Sequence, residues 1–165
     1  MKNFGVMLDM SRNAVMKIDE VKKFVKVIKS FGYNMIRLYT EDTYEVENEP
    51  YFGYLRGRYS VSELSDLVAF CNDEGVEAIP CIQTLAHLNT IFRWKPYYDI
   101  NDANDILLID EPHTYELIEN MMKTLRKSFT SKYINIGMDE AHMIGLVDWG
   151  AQKAGRCRPK PMSRL

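Results

Sequence analysis

Cysteine is scarce in this sequence and carries no pattern. Cys71, Cys81 and Cys157 form an odd set without CxxC spacing, which argues against a disulfide framework and for a reducing compartment. Basic charge is not in excess. Lys and Arg number 21 against 23 Asp and Glu, and a net charge of -2 offers no electrostatic footprint for nucleic acid. No apolar run reaches the length of a membrane span, and no signal-peptide pattern opens the chain, so a cytoplasmic protein without a membrane partner is expected. Neither GxGxxG nor a Walker pattern occurs, which removes the usual phosphate cradles. A serine nucleophile elbow and an HExxH zinc signature are missing as well.

What is present is an alternation of strands and helices. Phe4 to Met10 (FGVMLDM) is a short apolar run suited to a buried parallel strand. Val21, Phe24, Val25 and Ile28 then recur at helical spacing, with Asp19 as the expected N-cap and Gly32 at the left-handed C-terminal position. Met35 to Tyr39 is the second strand. Ser60 opens the next helix with Glu63 completing a capping box. Leu64, Leu67, Val68 and Cys71 form its buried stripe, and Gly75 ends it. Val76 to Ile82 is the third strand. A further helix is expected over Thr114 to Phe129, with Leu117, Met121 and Leu125 stacked, and a fourth strand over Tyr133 to Met138.

Strict alternation of this kind implies a parallel sheet covered by helices, either doubly wound or closed into a barrel. Loop lengths favour the barrel. Connections after strands two and three are long and polar, whereas the returns from helix to strand are short, as where a barrel builds its site on the loops after the strands. A full barrel takes about 250 residues for eight units, so about 140 residues supply only half of one. The expected fold is α/β, a partial (β/α)8 TIM barrel of about the first four βα units, over residues 1–146. Residues 147–165 have no helical or strand period and hold Arg156, Arg158 and Arg164. They read as an atypical tail, from truncation or a shifted reading frame, or else as a disordered end.

The candidate chemistry gathers at strand ends. Asp139 and Glu140 directly follow the fourth strand. Successive strand residues point to opposite faces, so adjacent carboxylates can share a pocket only where the strand has ended. Mutual repulsion would keep one protonated as a general acid. By spacing alone a solvated acidic turn is the commoner reading. His87 follows strand three, where it could tune a carboxylate or be an ordinary hydrogen-bonded loop histidine. Glu41 and Asp42 form a second acidic pair after strand two. Asp9 and Arg12 after strand one read as a structural ion pair. The loops are dense in aromatics, among them Tyr44, Tyr51, Phe52, Tyr54, Tyr59, Phe92, Trp94, Tyr97 and Tyr98. These suit either stacking on sugar C–H faces or packing over the barrel mouth. Glu140 and His142 with His87 or His113 would be the donors of a zinc site, but no metal-ligand spacing supports them, so no metal and no cofactor are expected.

With those residues in place, the chain resembles glycoside hydrolase family 20, in particular its bacterial exo-β-N-acetylhexosaminidase subgroup. The matching stretches are MLDMSRNAV, YTEDTYEVENEPYFGYLRGRYS, IPCIQTLAHL and INIGMDEAH, in family order across about residues 4 to 146. The resemblance implies substrate-assisted retaining hydrolysis, an exception to the two-carboxylate scheme. Glu140 matches the family's general acid/base, and Asp139 the carboxylate that orients the substrate's acetamido group. Glu41 and Asp42 match its Asp-Asp pair, and His87 the histidine that helps tune the acid through an acidic neighbour. Cys81 and Gln83 stand at acidic positions of the family pattern. Asn135 and Met138 replace His and Gly, and Phe4 lies near the place of an arginine.

The implied function is removal of terminal non-reducing β-linked N-acetylhexosamine from glycans. The alternatives are an inactive carbohydrate-binding fragment and a metal-dependent hydrolase on a TIM barrel. Half a barrel is expected to show little activity alone. Its two open sheet edges invite pairing, so a homodimer is expected.

Overall fold

The computed structural model describes residues 3–145. Three parallel strands lie side by side in chain order: β1 (Gly5–Asp9), β2 (Met35–Tyr39) and β3 (Glu77–Cys81). Helices α1 (Ile18–Ser30) and α2 (Val61–Asp73) connect them, and α3 (Pro112–Ser128) follows a long loop that contains two 3-10 turns. The stretch 147–165, expected as a tail, lies outside the described residues. No described helix is long and apolar enough to cross a membrane.

Register sorts the strand residues into two faces. Gly5, Met35 and Glu77 are neighbours, as are Met7, Arg37 and Ile79, and Asp9, Tyr39 and Cys81. With a period of two, these rows share one face. The other face backs onto the helices. Ile36, Leu38 and Ala78 are buried with Val21, Val25 and Ile28 of α1 and with Leu64, Leu67, Val68 and Cys71 of α2. Each fully buried Val, Leu or Ile side chain there contributes about 1.5–3 kcal/mol. The first face is partly open: Met7 is 51% exposed, and a recess of about 620 Å³ runs along Met35, Arg37, Ile79 and Tyr133.

Helix ends follow local chemistry. Ser60 and Glu63 form the expected capping box, Ser60 N–H donating to Glu63 Oε2 at 2.8 Å and Glu63 N–H to Ser60 Oγ at 3.2 Å. Both α1 and α2 end in the same motif. Gly32 and Gly75 adopt φ of +85° and +71°, and the next residue bonds back to the helix, Tyr33 N–H to Ile28 O at 3.2 Å and Val76 N–H to Cys71 O at 2.8 Å. This Schellman closure turns the chain into the following strand within a few residues. The N-cap of α1 differs from expectation. Lys17 occupies it, and Asp19 lies in the first turn, where its charge still favours the helix dipole. Cys71 and Cys81 are buried free thiols, and burial pushes Cys71 up to about 11.

The fourth strand is the main departure. Residues 133–138 lie beside β3 in parallel register, with Asn135 N–H donating to Pro80 O at 3.0 Å and Ile82 N–H to Asn135 O at 2.9 Å. Only an isolated bridge, Cys81 to Asn135, forms. Gly137 turns left-handed at φ +53°, and its N–H bonds the Asn135 side chain at 3.0 Å rather than the neighbouring backbone, although its carbonyl still accepts the Thr84 N–H at 3.1 Å.

Candidate active site

The row Asp9, Tyr39, Cys81 marks the carboxyl ends of the strands, and the residues just past it form one rim. After β1, Asp9 accepts the Ser11 and Arg12 N–H groups at 2.9 and 3.2 Å. Arg12 Nε lies 3.6 Å from Asp9 and 3.9 Å from Glu41. The expected ion pair is therefore present, and it extends to the next strand's carboxylate.

Asp139 and Glu140 converge on one imidazole. His87 Nε2 lies 3.4 Å from Glu140 Oε2 and 3.8 Å from Asp139 Oδ2. Glu140 takes φ +58° and His87 φ +60°, a region that disfavours side chains other than glycine. The left-handed turn at Glu140 lets two adjacent carboxylates reach the same partner, which an extended strand forbids. His87 is held from behind: its backbone N–H donates to Asp105 Oδ2 at 3.0 Å, and its Nδ1 lies 3.9 Å from the same oxygen.

Glu41 and Asp42 have different surroundings. Glu41 is buried and accepts the Tyr39 hydroxyl at 3.2 Å. Burial pushes its carboxyl above the usual range, opposed by the Tyr39 bond and by His87 and Arg12. Asp42 ties loops together: Arg56 Nε stands 3.1 Å from one oxygen, and the Thr90 hydroxyl donates to the other. Gln83 Nε2 donates to Asp139 Oδ1 at 3.2 Å. That bond is the first cause holding the Asp139 carboxyl below its ordinary value. These contacts favour the Asp139 carboxylate as an anion.

The match to a family of known proteins falls on this same stretch. The model of the glycosyl hydrolase family 20 catalytic domain matches residues 4–159. The chain belongs to glycosyl hydrolase family 20. Its match extends past residue 146 into the stretch that periodicity left without elements. A β-hexosaminidase of Akkermansia muciniphila is 23% identical over 168 residues, covering 83% of this chain and 34% of that protein. The chain therefore spans about a third of the length of that relative. The β-N-acetylhexosaminidase of Streptomyces coelicolor shares the fold with a TM-score of 0.73 at 20% identity, over 85% of this chain and 33% of that one. For the Streptomyces plicatus enzyme in complex with Thio-NAglucal the TM-score is 0.74 at 22% identity, over 85% and 33%.

Sequence reading of this family 20 chain missed three contributors to the rim. Tyr39 was legible as the last inward residue of β2. Gln83 stood out only as a departure from the family pattern. Asp105 gave no signal, because a loop position has no period. Tyr44, Phe52, Tyr59 and Tyr97 are buried in the core, whereas Tyr51, Tyr54 and Trp94 form an edge-packed surface cluster with ring centroids 5.0 to 5.7 Å apart. His113 pairs with Asp99 at 3.0 Å, and among the described residues no group of three or more His, Cys, Asp or Glu that could hold a metal ion occurs.

Proposed function

We propose that this chain carries the acid/base part of a β-N-acetylhexosaminidase site that releases terminal, non-reducing β-linked GlcNAc or GalNAc. The observation that carries the reading is the convergence of Asp139 and Glu140 on His87 at the rim of a family 20 sheet. The substrate's acetamido oxygen attacks the anomeric carbon as the glycosidic C–O bond breaks, and Glu140 gives its proton to the leaving oxygen. Asp139 accepts the acetamido N–H and balances the positive charge of the oxazolinium. Water then attacks the same carbon, its proton passes to Glu140, and the configuration is retained. Glu41, Asp42 and His87 support the pair, and no cofactor takes part.

The sheet is read as the start of a (β/α)8 barrel, with residues 133–138 in the fourth strand's place and the barrel segment running to 146. The open inner face needs further strands to enclose a sugar, so activity of the isolated 165-residue chain is expected to be small. Hydrolysis of a chromogenic β-GlcNAc substrate, beside the Glu140→Gln variant, is the test. Turnover that vanishes in the variant supports the reading, and equal turnover in both overturns it. The exposed Tyr51 and Tyr54 beside the partly buried Trp94 favour a second reading, sugar binding without hydrolysis, which binding in the absence of turnover would support.

A further inference from the structure

Gln83 is 1% exposed, and its carboxamide stands between two strand ends. Nε2 donates to Asp139 Oδ1 at 3.2 Å and to the Tyr39 phenol oxygen at 3.1 Å. Tyr39 in turn donates its hydroxyl hydrogen bond to Glu41 Oε1 at 3.2 Å. The direction of this line is set by chemistry. An ionised carboxylate only accepts, so the amide nitrogen must face Asp139. Oε1 is then left buried without a hydrogen-bond partner. It points at Gly137, where an added Cβ would come within 2.5 Å. An unmade buried hydrogen bond costs about 1–3 kcal/mol. Turning the amide over would not relieve that cost, because it would set an oxygen against the Asp139 anion.

We propose that Gln83 and Tyr39 are positioning residues, a neutral hydrogen-bond relay that fixes the Asp139 carboxylate and ties it to Glu41 across β2 and β3. This rests on Asp139 being the carboxylate that faces the acetamido group, and it identifies what holds it there. A neutral donor suits the place. An acid at position 83 would join Asp139, Glu140 and Glu41 in one cluster, and repulsion among them would favour protonating one. The other groups facing Asp139 are His87 and Arg12, which favour the anion, the neighbouring Glu140 and the Cys81 thiol. Gln83 is the one side chain among them that donates a hydrogen bond to Asp139, beside a bond from Asp139's own backbone, so it helps set the carboxylate's direction as well as its charge.

The test is a site-resolved carboxyl NMR titration of the full 165-residue chain and of its Gln83→Leu, Gln83→Glu and Tyr39→Phe variants. Gln83→Leu is expected to shift the Asp139 midpoint upward, and Gln83→Glu to shift it further. Tyr39→Phe is expected to raise the Glu41 midpoint, since the phenol bond favours the ionised form. Loss of packing alone would lower thermal stability and leave both midpoints in place. An unmoved Asp139 midpoint in Gln83→Leu overturns the relay. If that variant does not fold, an unmoved Glu41 midpoint in Tyr39→Phe does so. The readout needs no turnover. Shifted midpoints beside turnover that Glu140→Gln leaves unchanged count against the catalytic reading alone, and unmoved midpoints beside turnover that Glu140→Gln abolishes count against the relay alone.

Discussion

His87 Nε2 stands 3.4 Å from Glu140 Oε2, and both residues hold left-handed backbone, at φ +60° and +58°. Strain of this kind persists where surrounding structure enforces it, and it gathers at functional sites. Glu140 gains nothing for the fold from this conformation, since its side chain is mostly exposed. Glu140→Gly is therefore expected to raise stability by about 0.5–1 kcal/mol, the relief of the left-handed penalty less glycine's greater unfolded freedom. Chemical denaturation measures it, and a clear loss of stability would contradict the strain argument.

Glu140→Gln keeps the backbone strain and removes the proton donor. In the active form of the barrel it is expected to lower kcat by about 10²–10⁴-fold, the usual contribution of general acid–base catalysis. Steady-state kinetics on a chromogenic β-GlcNAc substrate decide this, with denaturation midpoints run alongside to show that the fold is unchanged.

Glu41 carries a pH-dependent destabilisation. Burial raises its folded-state pKa, so the native state binds more protons than the unfolded chain between the unfolded and folded values. Stability then falls as pH rises through that window. Glu41→Gln is expected to be the more stable protein at neutral pH, with the difference closing as the pH drops below the carboxylate range. Thermal melts at several pH values test the sign. A variant that loses stability at neutral pH would show that the contacts with Tyr39 and Arg12 outweigh burial.

Gly137 has no room for a side chain. An added Cβ would lie 2.2 Å from the Ile82 carbonyl oxygen, and the φ is +53°. Gly137→Ala combines a left-handed penalty of about 1–2 kcal/mol with that overlap. A loss of roughly 2 kcal/mol or more is expected, read by urea denaturation.

The open face of the sheet predicts self-association. Met7 and Arg37 remain exposed among the described residues on the face that a closed barrel would bury, and uncovered sheets and edges pair readily. Size-exclusion chromatography of the 165-residue chain is expected to show a dimer or larger species, and a stable monomer across concentrations would count against it.

Much of the scaffold was legible because it depends on local chemistry. The helix stripes of Val21, Val25 and Ile28 and of Leu64, Leu67 and Val68 follow from period. Ser60 with Glu63 capped α2 as their spacing implied, and Gly32 and Gly75 ended their helices in the left-handed form that glycine allows. The fourth strand was overread. Its apolar run resembled the other strands, yet the Asn135 side chain takes the Gly137 N–H that a regular strand would give to its neighbour, a turn preference that hydrophobic pattern does not register.

By itself the sequence determined the order of elements, the parallel sheet and the strand ends at which chemistry could sit, because hydrophobic period and capping act over a few residues. Only the tertiary structure decided who meets whom at the rim. His87 and Asp105 are separated by 18 residues, and Gln83 and Asp139 by 56. Asp42 was drawn toward Arg56 and Thr90 while Glu41 turned to Tyr39. Pairings at that separation depend on how the loops after adjacent strands pack together, and no short-range rule in the chain encodes that.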